Sequence, residues 1–496
     1  MVIAALILIP MLSGSLAFFL ADDRARRGLL VAVALAHFGL VGLVWRGWGA
    51  ASTALAEASG AWLAIDATGL IFLSIVSTLF LAVSAYGVGY LARERRSAHV
   101  DVVEHLYFRN EPEAVFTGCL LLFLGSMTLV TVSQHFGLLW VGIEATTLAS
   151  APLIYFHRQH RSLEATWKYL LICSVGIALA LMGNFLLAVA TPGGSEDSGG
   201  LVLGNLTRGA RSLDAPWLKG AFLFFLVGYG TKMGLAPLHT WLPDAHSESP
   251  SMASALLSGA LLNCAFLGIL RAYQVCLAAG QAAFCQDLLI GFGLFSMLMA
   301  AVFVLNQSDY KRMLAYSSVE HMGILALGVG LGSSGAFGSA LHAVNHSLTK
   351  ASLFLTAGNI LGAYATKSIG DVKGVLRVLP ASGVLWVAGM FSITGSPPFG
   401  MFLSEFTILK AGFDAGRGVV AAAYLGLLGI IFVGMSSLVL GMAQGEPAEP
   451  MAPRREKVWS ILPPAALLLL SLAFGVYLPP TLRDALAEMS RSLGGR

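Results

Sequence analysis

The chain has 496 residues, 56% of them hydrophobic and only 11% charged, with a mean hydropathy of +0.77. Water-soluble domains carry roughly 25% charged residues, so this composition excludes a soluble globular protein and predicts an all-α polytopic membrane protein. A formal net charge of +3 is too small to indicate nucleic acid as a partner.

Apolar runs of about 18 residues or more can cross a bilayer as helices. Fourteen are found, at approximately 2–20, 28–45, 67–90, 114–133, 136–156, 168–190, 218–238, 251–271, 288–306, 313–332, 338–364, 381–411, 419–442 and 459–478. The first, MVIAALILIPMLSGSLAFFLADD, lacks a basic leader and a small-residue cleavage site, so it reads as a span and not as a signal peptide. No composition shift marks a domain boundary. The chain therefore reads as one membrane unit over 1–496, with spans 1–3 in residues 1–113 and the last span and a tail in 443–496.

Loop charge sets the orientation. Loops after odd-numbered spans hold seventeen Lys and Arg, among them Arg24, Arg95, Arg96, Arg158, Lys311, Lys373 and Arg454. Loops after even-numbered spans hold five: Arg46, Arg208, Arg211, Arg271 and Arg417. The positive-inside rule then puts the odd loops in the cytoplasm of a bacterial-type inner membrane and both termini on the outer, periplasmic face.

Span 5, FGLLWVGIEATTLASAPLIYF, contains Glu144 as its one ionisable residue. Span 6 begins near Lys168, in RSLEATWKYLL. Span 7 carries Lys232 inside its apolar run, followed five residues later by Pro237, which removes a backbone donor and breaks or kinks the helix. A lysine at mid-membrane costs about 2.5–3.5 kcal/mol on insertion scales, so it needs a partner or a wet cavity. Broken helices are tolerated at membrane depth where they line such a cavity. Glu144 is the obvious partner for Lys232. Two unit charges about 4 Å apart at an effective dielectric near 20 attract by roughly 4 kcal/mol, enough to decide whether the lysine holds a proton. A snorkelling lysine at a kink and a static ion pair that only fixes packing are the plainer readings. His239, Asp244 and His246 follow the break and suit an access path or a solvated loop.

Span 10 begins SSVEHMG, with Glu320 and His321 near its cytoplasmic end. In span 11, His342, His346 and Lys350 recur at i, i+4 and i+8 and so share one helix face. A row of protonatable groups suits proton relay. His-x-x-x-His is also a metal-ligand spacing, but the sequence offers no evident third ligand and Lys350 would repel a cation. Span 12 is broken by Ser396-Pro397-Pro398, and Glu405 follows at the exit end of the relay, with Lys410 free to snorkel. The broken spans 7 and 12 lie five apart. An odd repeat returns inverted, so spans 4–8 (114–272) and 9–13 (287–442) read as two inverted five-helix repeats.

Gly330-x-Gly332-x-x-Gly335 matches a dinucleotide fingerprint in letters alone, at a span end with no βαβ unit, and reads as packing or a turn. The five cysteines, Cys119, Cys173, Cys264, Cys276 and Cys285, form no CxxC, which argues against an iron–sulfur or zinc site. Cys276 and Cys285 share one short loop, where they could pair. No cofactor site is expected in this chain.

GIEATTLASAPL, SLEATWKYLLICSVGIALAL, GYGTKMGLAPLHTWLPDAHSESPS, DYKRMLAYSSVEHMGI and HAVNHSLTKASLFLTAGNI together resemble the antiporter-like subunits of respiratory complex I, shared with Mrp-type cation/proton antiporters and membrane-bound hydrogenases. The resemblance covers about residues 60–440. The EATTL and HSESPS wording is most similar to the F component of hydrogenase-4 and formate hydrogenlyase-type complexes. It implies a fourteen-helix proton-translocating subunit with a central hydrophilic axis, in which Glu144, Lys232, His342, His346, Lys350 and Glu405 match the relay. Lys168, His321 and His239 are further candidates. Asn263 stands where many complex I members have a lysine in span 8; it cannot carry a proton, so water or a neighbouring side chain would bridge the gap. The chain runs only about 18 residues past span 14, so the long lateral helix of the distal complex I subunit is expected to be absent. The resemblance also implies membrane and peripheral redox subunits as partners. Iron–sulfur clusters and a metal centre would belong to those partners, and the ion moved would be H⁺ or Na⁺. The alternative is a secondary Na⁺/H⁺ antiporter subunit of Mrp type with no redox partner.

Overall fold

The computed structural model describes residues 1–56, 61–94, 108–192, 200–447 and 451–495, so Arg95 and Arg96 lie outside the described residues. Backbone groups inside a bilayer have no water to bond, and helices satisfy them internally. Accordingly, among the described residues pairing between extended segments is confined to three isolated bridges, Leu63 with Ser133, His135 with Val202 and Asp309 with Ser368.

The helices, in order, are α1 (Val2–Ala17), α2 (Asp23–Ala56), α3 (Ala67–Glu94), α4 (Glu113–Val132), α5 (Phe136–Ile154), α6 (His160–Ala190) and the short α7 (Leu203–Arg208). Then come α8 (Ala215–Met233), α9 (Trp241–Glu248), α10 (Ser251–Leu256) and α11 (Leu262–Ala278), the last two joined by a π-helical turn at Leu257–Leu261. The second half holds α12 (Ala282–Val304), α13 (Tyr310–Gly330), α14 (Ser333–Tyr364), α15 (Val375–Val378), α16 (Pro380–Ile393), α17 (Gly400–Asp414), α18 (Gly418–Ala443), α19 (Val458–Val476) and α20 (Pro480–Ser492). Side chains fix several starts: Asp214 accepts from the Trp217 amide ahead of α8, and Asp309 from the amides of Lys311 and Arg312 ahead of α13.

Nine of these helices, among the described residues, are long and apolar enough to cross a membrane. The other predicted spans fall short for stated reasons. Helix α1 has 16 residues, α8 contains Lys219 and Lys232, α13 and α14 carry the buried His, Glu and Lys residues, and α16 and α17 are two halves of one run. Burial sorts the helices. The apolar stretch of Ser251–Ala278 is 100% buried, whereas those of α2, α18 and α19 are 28% buried and leave most of their apolar surface exposed. Helix α14 packs against α3, α10, α13, α16, α17, α19 and α20, which makes it the centre of the second half.

Both proline-marked runs leave helical geometry where the chain must. After Met233 the backbone turns at Gly234 (φ +88°), and Pro237 has no amide to extend the ladder. The Thr231 carbonyl released by that break is taken by the indole of Trp241 at 2.9 Å, and the Ala236 amide by Ser296 Oγ at 2.9 Å. The second run breaks at Thr394–Phe399, where Gly395 has φ +66° and Pro397 and Pro398 follow.

Three sequence readings need correction. Residues 480–492, expected to be a tail, form α20, whose Ala485, Leu486 and Met489 are buried on the α3–α14 face. Arg271, counted among loop charges, is 1% exposed inside α11 and makes a two-pronged bond to Asp66 at 2.6 and 2.7 Å. Cys276 and Cys285 are free, buried thiols, with no disulfide between them.

Candidate functional site: a buried row of protonatable side chains

The first half of the site is set by the broken helix. Lys232, in the last turn of α8, is fully buried. Its ammonium donates to Thr147 Oγ1 at 2.8 Å and to the Tyr169 hydroxyl at 2.5 Å, and lies 4.4 Å from the Tyr169 ring centroid. A desolvated cation over an aromatic face gains about 2 kcal/mol, which offsets part of its burial cost. Thr147 in turn donates to Glu144 Oε2 at 3.2 Å. The expected direct Glu144–Lys232 pair is thus replaced by a hydroxyl bridge, Lys232–Thr147–Glu144. The physical reason is helical spacing: Thr147 lies at i+3 from Glu144 and fills the gap on the same face. Glu144 is only half-buried, at the outer end of this chain of bonds. Ser150, 2.6 Å from the Tyr169 hydroxyl, completes the group.

Lys168 stands outside it. Its side chain is 45% exposed and pairs with Glu164 at 2.6 Å and Asp244 at 3.0 Å, and Asp244 also bonds Arg312. One residue along a helix is a rotation of about 100°, so Tyr169, not Lys168, faces inward. His239 is buried in the break, 6.2 Å from the Tyr316 ring, its Nδ1 without a protein partner and with no bond to the row among the described contacts. His246 stacks on Phe354 at 4.9 Å with both ring nitrogens unpartnered. Lys410 is 61% exposed and pairs with Asp414.

The middle is built from small polar groups. Asn263 Nδ2 donates to the Gly259 carbonyl at 2.8 Å and to Ser347 Oγ at 2.7 Å, which ties α11 to α14, and its Oδ1 is buried without a protein partner. None of its described bonds reaches Lys232. A parallel contact joins Ser258, in the π turn, to Ser318 of α13 at 2.8 Å, and Ser318 donates to the Leu314 carbonyl at 3.1 Å. That same carbonyl accepts from Lys350 Nζ at 2.7 Å. Gly259 permits this approach, because a Cβ there would lie 2.5 Å from Leu79 Cδ1 and 3.1 Å from the Ser347 carbonyl. Single π turns inside α-helices concentrate at functional sites.

The second half is a compact imidazole–carboxylate group. His321 Nδ1 lies 3.1 Å from His342 Nε2, and His342 Nδ1 lies 3.0 Å from Ser404 Oγ. The His346 ring centroid is 5.1 Å from that of His321, and its two nitrogens have no protein partner. Glu320 Oε2 is 4.0 Å from His321 Nε2. Glu405 brings a carboxylate oxygen within 4.8 Å of ring nitrogens of both His321 and His342. The second break makes room for it, since a Cβ on Gly395 would sit 1.9 Å from Glu405 Oε2. His321, a subsidiary candidate in the sequence, is the hub of the group, with His342, His346 and Glu405 gathered round it. Buried nitrogens and oxygens without protein partners normally bond water, so this group can pass protons by imidazole, carboxylate and water together.

Residues 133–431 match the family model described as "NADH:quinone oxidoreductase/Mrp antiporter, TM". The chain is 36% identical over 427 residues to a hydrogenase-4 component F homolog of Methylacidiphilum infernorum, an alignment covering 85% of this chain and 86% of that protein. Its fold is similar to that of a chain of the membrane-bound sulfane sulfur reductase, an archaeal respiratory membrane complex (TM-score 0.84, 20% identity, 100% and 98% of the two chains covered). It is also similar to that of a chain of respiratory complex I from Thermus thermophilus (TM-score 0.80, 23% identity, 100% of each chain covered). At those identities the two structures speak for the fold alone.

Proposed function

Because the chain belongs to the NADH:quinone oxidoreductase/Mrp antiporter transmembrane family, we propose that its buried row moves protons across a bacterial-type inner membrane as one subunit of a hydrogenase-type oxidoreductase complex. The observation that carries this reading is the row itself: Glu144, Lys232, Lys350, His321, His342 and Glu405 are drawn from five helices and, Glu144 apart, are buried. Ionisable groups inside a membrane are costly and mark ion pathways. Protons would pass from the Glu144–Thr147–Lys232 bridge, through the Ser258–Ser318 and Asn263–Ser347 contacts, to Lys350 and the imidazoles, and leave by Glu405.

In the same reading the chain crosses the membrane fourteen times in two inverted five-helix repeats with both termini outside, which the matching breaks after Met233 and Ile393 support. Moving one proton against 100 mV requires about 2.3 kcal/mol, which redox chemistry in partner subunits would supply. Iron–sulfur and metal centres would be held there.

Purification of the tagged chain from its native membrane, with mass spectrometry of what accompanies it, tests the assignment to a redox complex. Stoichiometric hydrogenase- or dehydrogenase-like subunits support it. A chain arriving alone, or with small membrane subunits only, overturns it in favour of a Na⁺/H⁺ antiporter. Inverted vesicles carrying Lys232→Ala test the row, and undiminished proton uptake would refute its role.

A further inference from the structure

We propose that His321, His342 and Glu405 also form a binding site for a divalent transition-metal cation, for which Zn²⁺ is a suitable probe, and that its occupancy stops proton transfer between α14 and α17. Ligand atoms of all three residues lie within 4.8 Å of one another, and their side chains come from three helices, α13, α14 and α17. Two imidazoles and one carboxylate are a donor set that Zn²⁺ accepts with a fourth position left over. His346 stands outside that group but next to it, with both ring nitrogens unpartnered and its ring 5.1 Å from that of His321, and would complete the set by a larger side-chain movement. His321 Nε2 and Glu405 Oε1 are likewise buried and unpartnered among the described residues.

Charge balance agrees. A dication in the membrane interior needs two negative charges, and Glu405 and Glu320, 7% and 3% exposed, are both in this group. Lys350, which on sequence grounds would repel a cation, directs its ammonium to the Leu314 carbonyl. Zn–N bonds of about 2.0–2.1 Å place donors around one ion roughly 3.3 Å apart, so side-chain rotations on the order of 1 Å close the group on the ion. Ser404, bonded to His342 Nδ1 at 3.0 Å, orients the ring from behind. The lone pairs that would hold the metal are those a proton relay uses. Binding stands on the geometry alone, whereas the block of transfer rests on the function proposed above.

The purified native complex is incubated with ZnCl₂, desalted, and its metal content measured; Co²⁺ is then substituted and its visible absorption recorded. One Zn²⁺ per chain is expected, lost in His342→Gln and Glu405→Gln and restored in His342→Cys, which keeps a ligand. Ser404→Ala should weaken binding about 10- to 100-fold, as loss of an orienting partner does. Absence of retained metal in the native complex, or equal retention and unchanged Co²⁺ bands in both Gln variants, overturns the site. Lys232→Ala separates the two ideas: it should retain Zn²⁺ while losing proton uptake. Stoichiometric Zn²⁺ with undiminished uptake in the native complex overturns the blocking claim and leaves the site standing.

Discussion

At the scale of single residues, the first half of the row turns on a hydroxyl that connects two charges. Thr147 accepts from Lys232 and donates to Glu144, so Thr147→Val keeps shape and removes the connection. Leaving the buried ammonium one acceptor short costs about 1–3 kcal/mol. Proton uptake by inverted vesicles is expected to collapse in Thr147→Val and to survive in Thr147→Ser; equal uptake in both would refute a bridging role. Tyr169 and Lys168 make a second comparison. Tyr169→Phe removes the hydroxyl shared by Lys232 and Ser150, whereas Lys168→Ala removes an exposed partner of Glu164 and Asp244. Uptake should fall in the first and persist in the second. The charged members of the row were legible in the sequence because each interrupts an apolar run. Thr147, Tyr169, Ser258, Ser318, Ser347 and Ser404 were not, because hydroxyl groups are cheap in a helix, where they bond the preceding turn. Only the packing shows which of them face inward. Glu405 as a third neighbour for His321 and His342 was equally hidden, since α17 reaches them across the second break.

At the scale of elements, the two breaks were readable from Pro237 and Pro397-Pro398, because a missing backbone donor is a property of the residue itself. The π turn at Leu257–Leu261 had no such marker. Helix α20 was missed because it is too short and too polar for a span; the spacing of Leu482, Ala485, Leu486 and Met489 behind Pro480 is the signal that finds it. Gly395 joins both concerns, backbone and site. Its φ of +66° disfavours any Cβ, and the Cβ would also strike Glu405 Oε2. Gly280 has a similar φ of +75° with nothing within 4 Å. Gly280→Ala should therefore cost only the left-handed penalty, roughly 1–2 kcal/mol. Gly395→Ala should cost about 1–3 kcal/mol more through overpacking and also displace the carboxylate. Thermal unfolding of the two variants in detergent measures the difference, and equal melting temperatures would show that the turn at Gly395 relaxes freely.

At the scale of the whole molecule, the row is one object only if its halves are coupled through the middle. The polar contacts described between them are Asn263 with Ser347, and Ser258 with Ser318, whose Leu314 carbonyl partner also holds Lys350. Among the described residues no ionisable side chain bridges the gap, so on the proposed path Lys232 and Lys350 would communicate through hydroxyls, an amide, a carbonyl and water. Residues that act as one unit lose function together, and their effects do not add. If the row is a single path, Lys232→Ala and Glu405→Gln should each lower proton uptake by at least about tenfold, and the double variant should be no worse than the more severe single one. Two independent paths would give a double variant with the product of both losses. Ser258→Ala with Ser347→Ala sharpens the comparison, because it leaves every charged residue in place and removes the hydroxyl contacts between the halves. Loss of uptake in that variant, with the fold intact by thermal unfolding, would locate the coupling in the centre of the molecule. Uptake equal to that of the unaltered chain would mean that each half exchanges protons with its own side of the membrane.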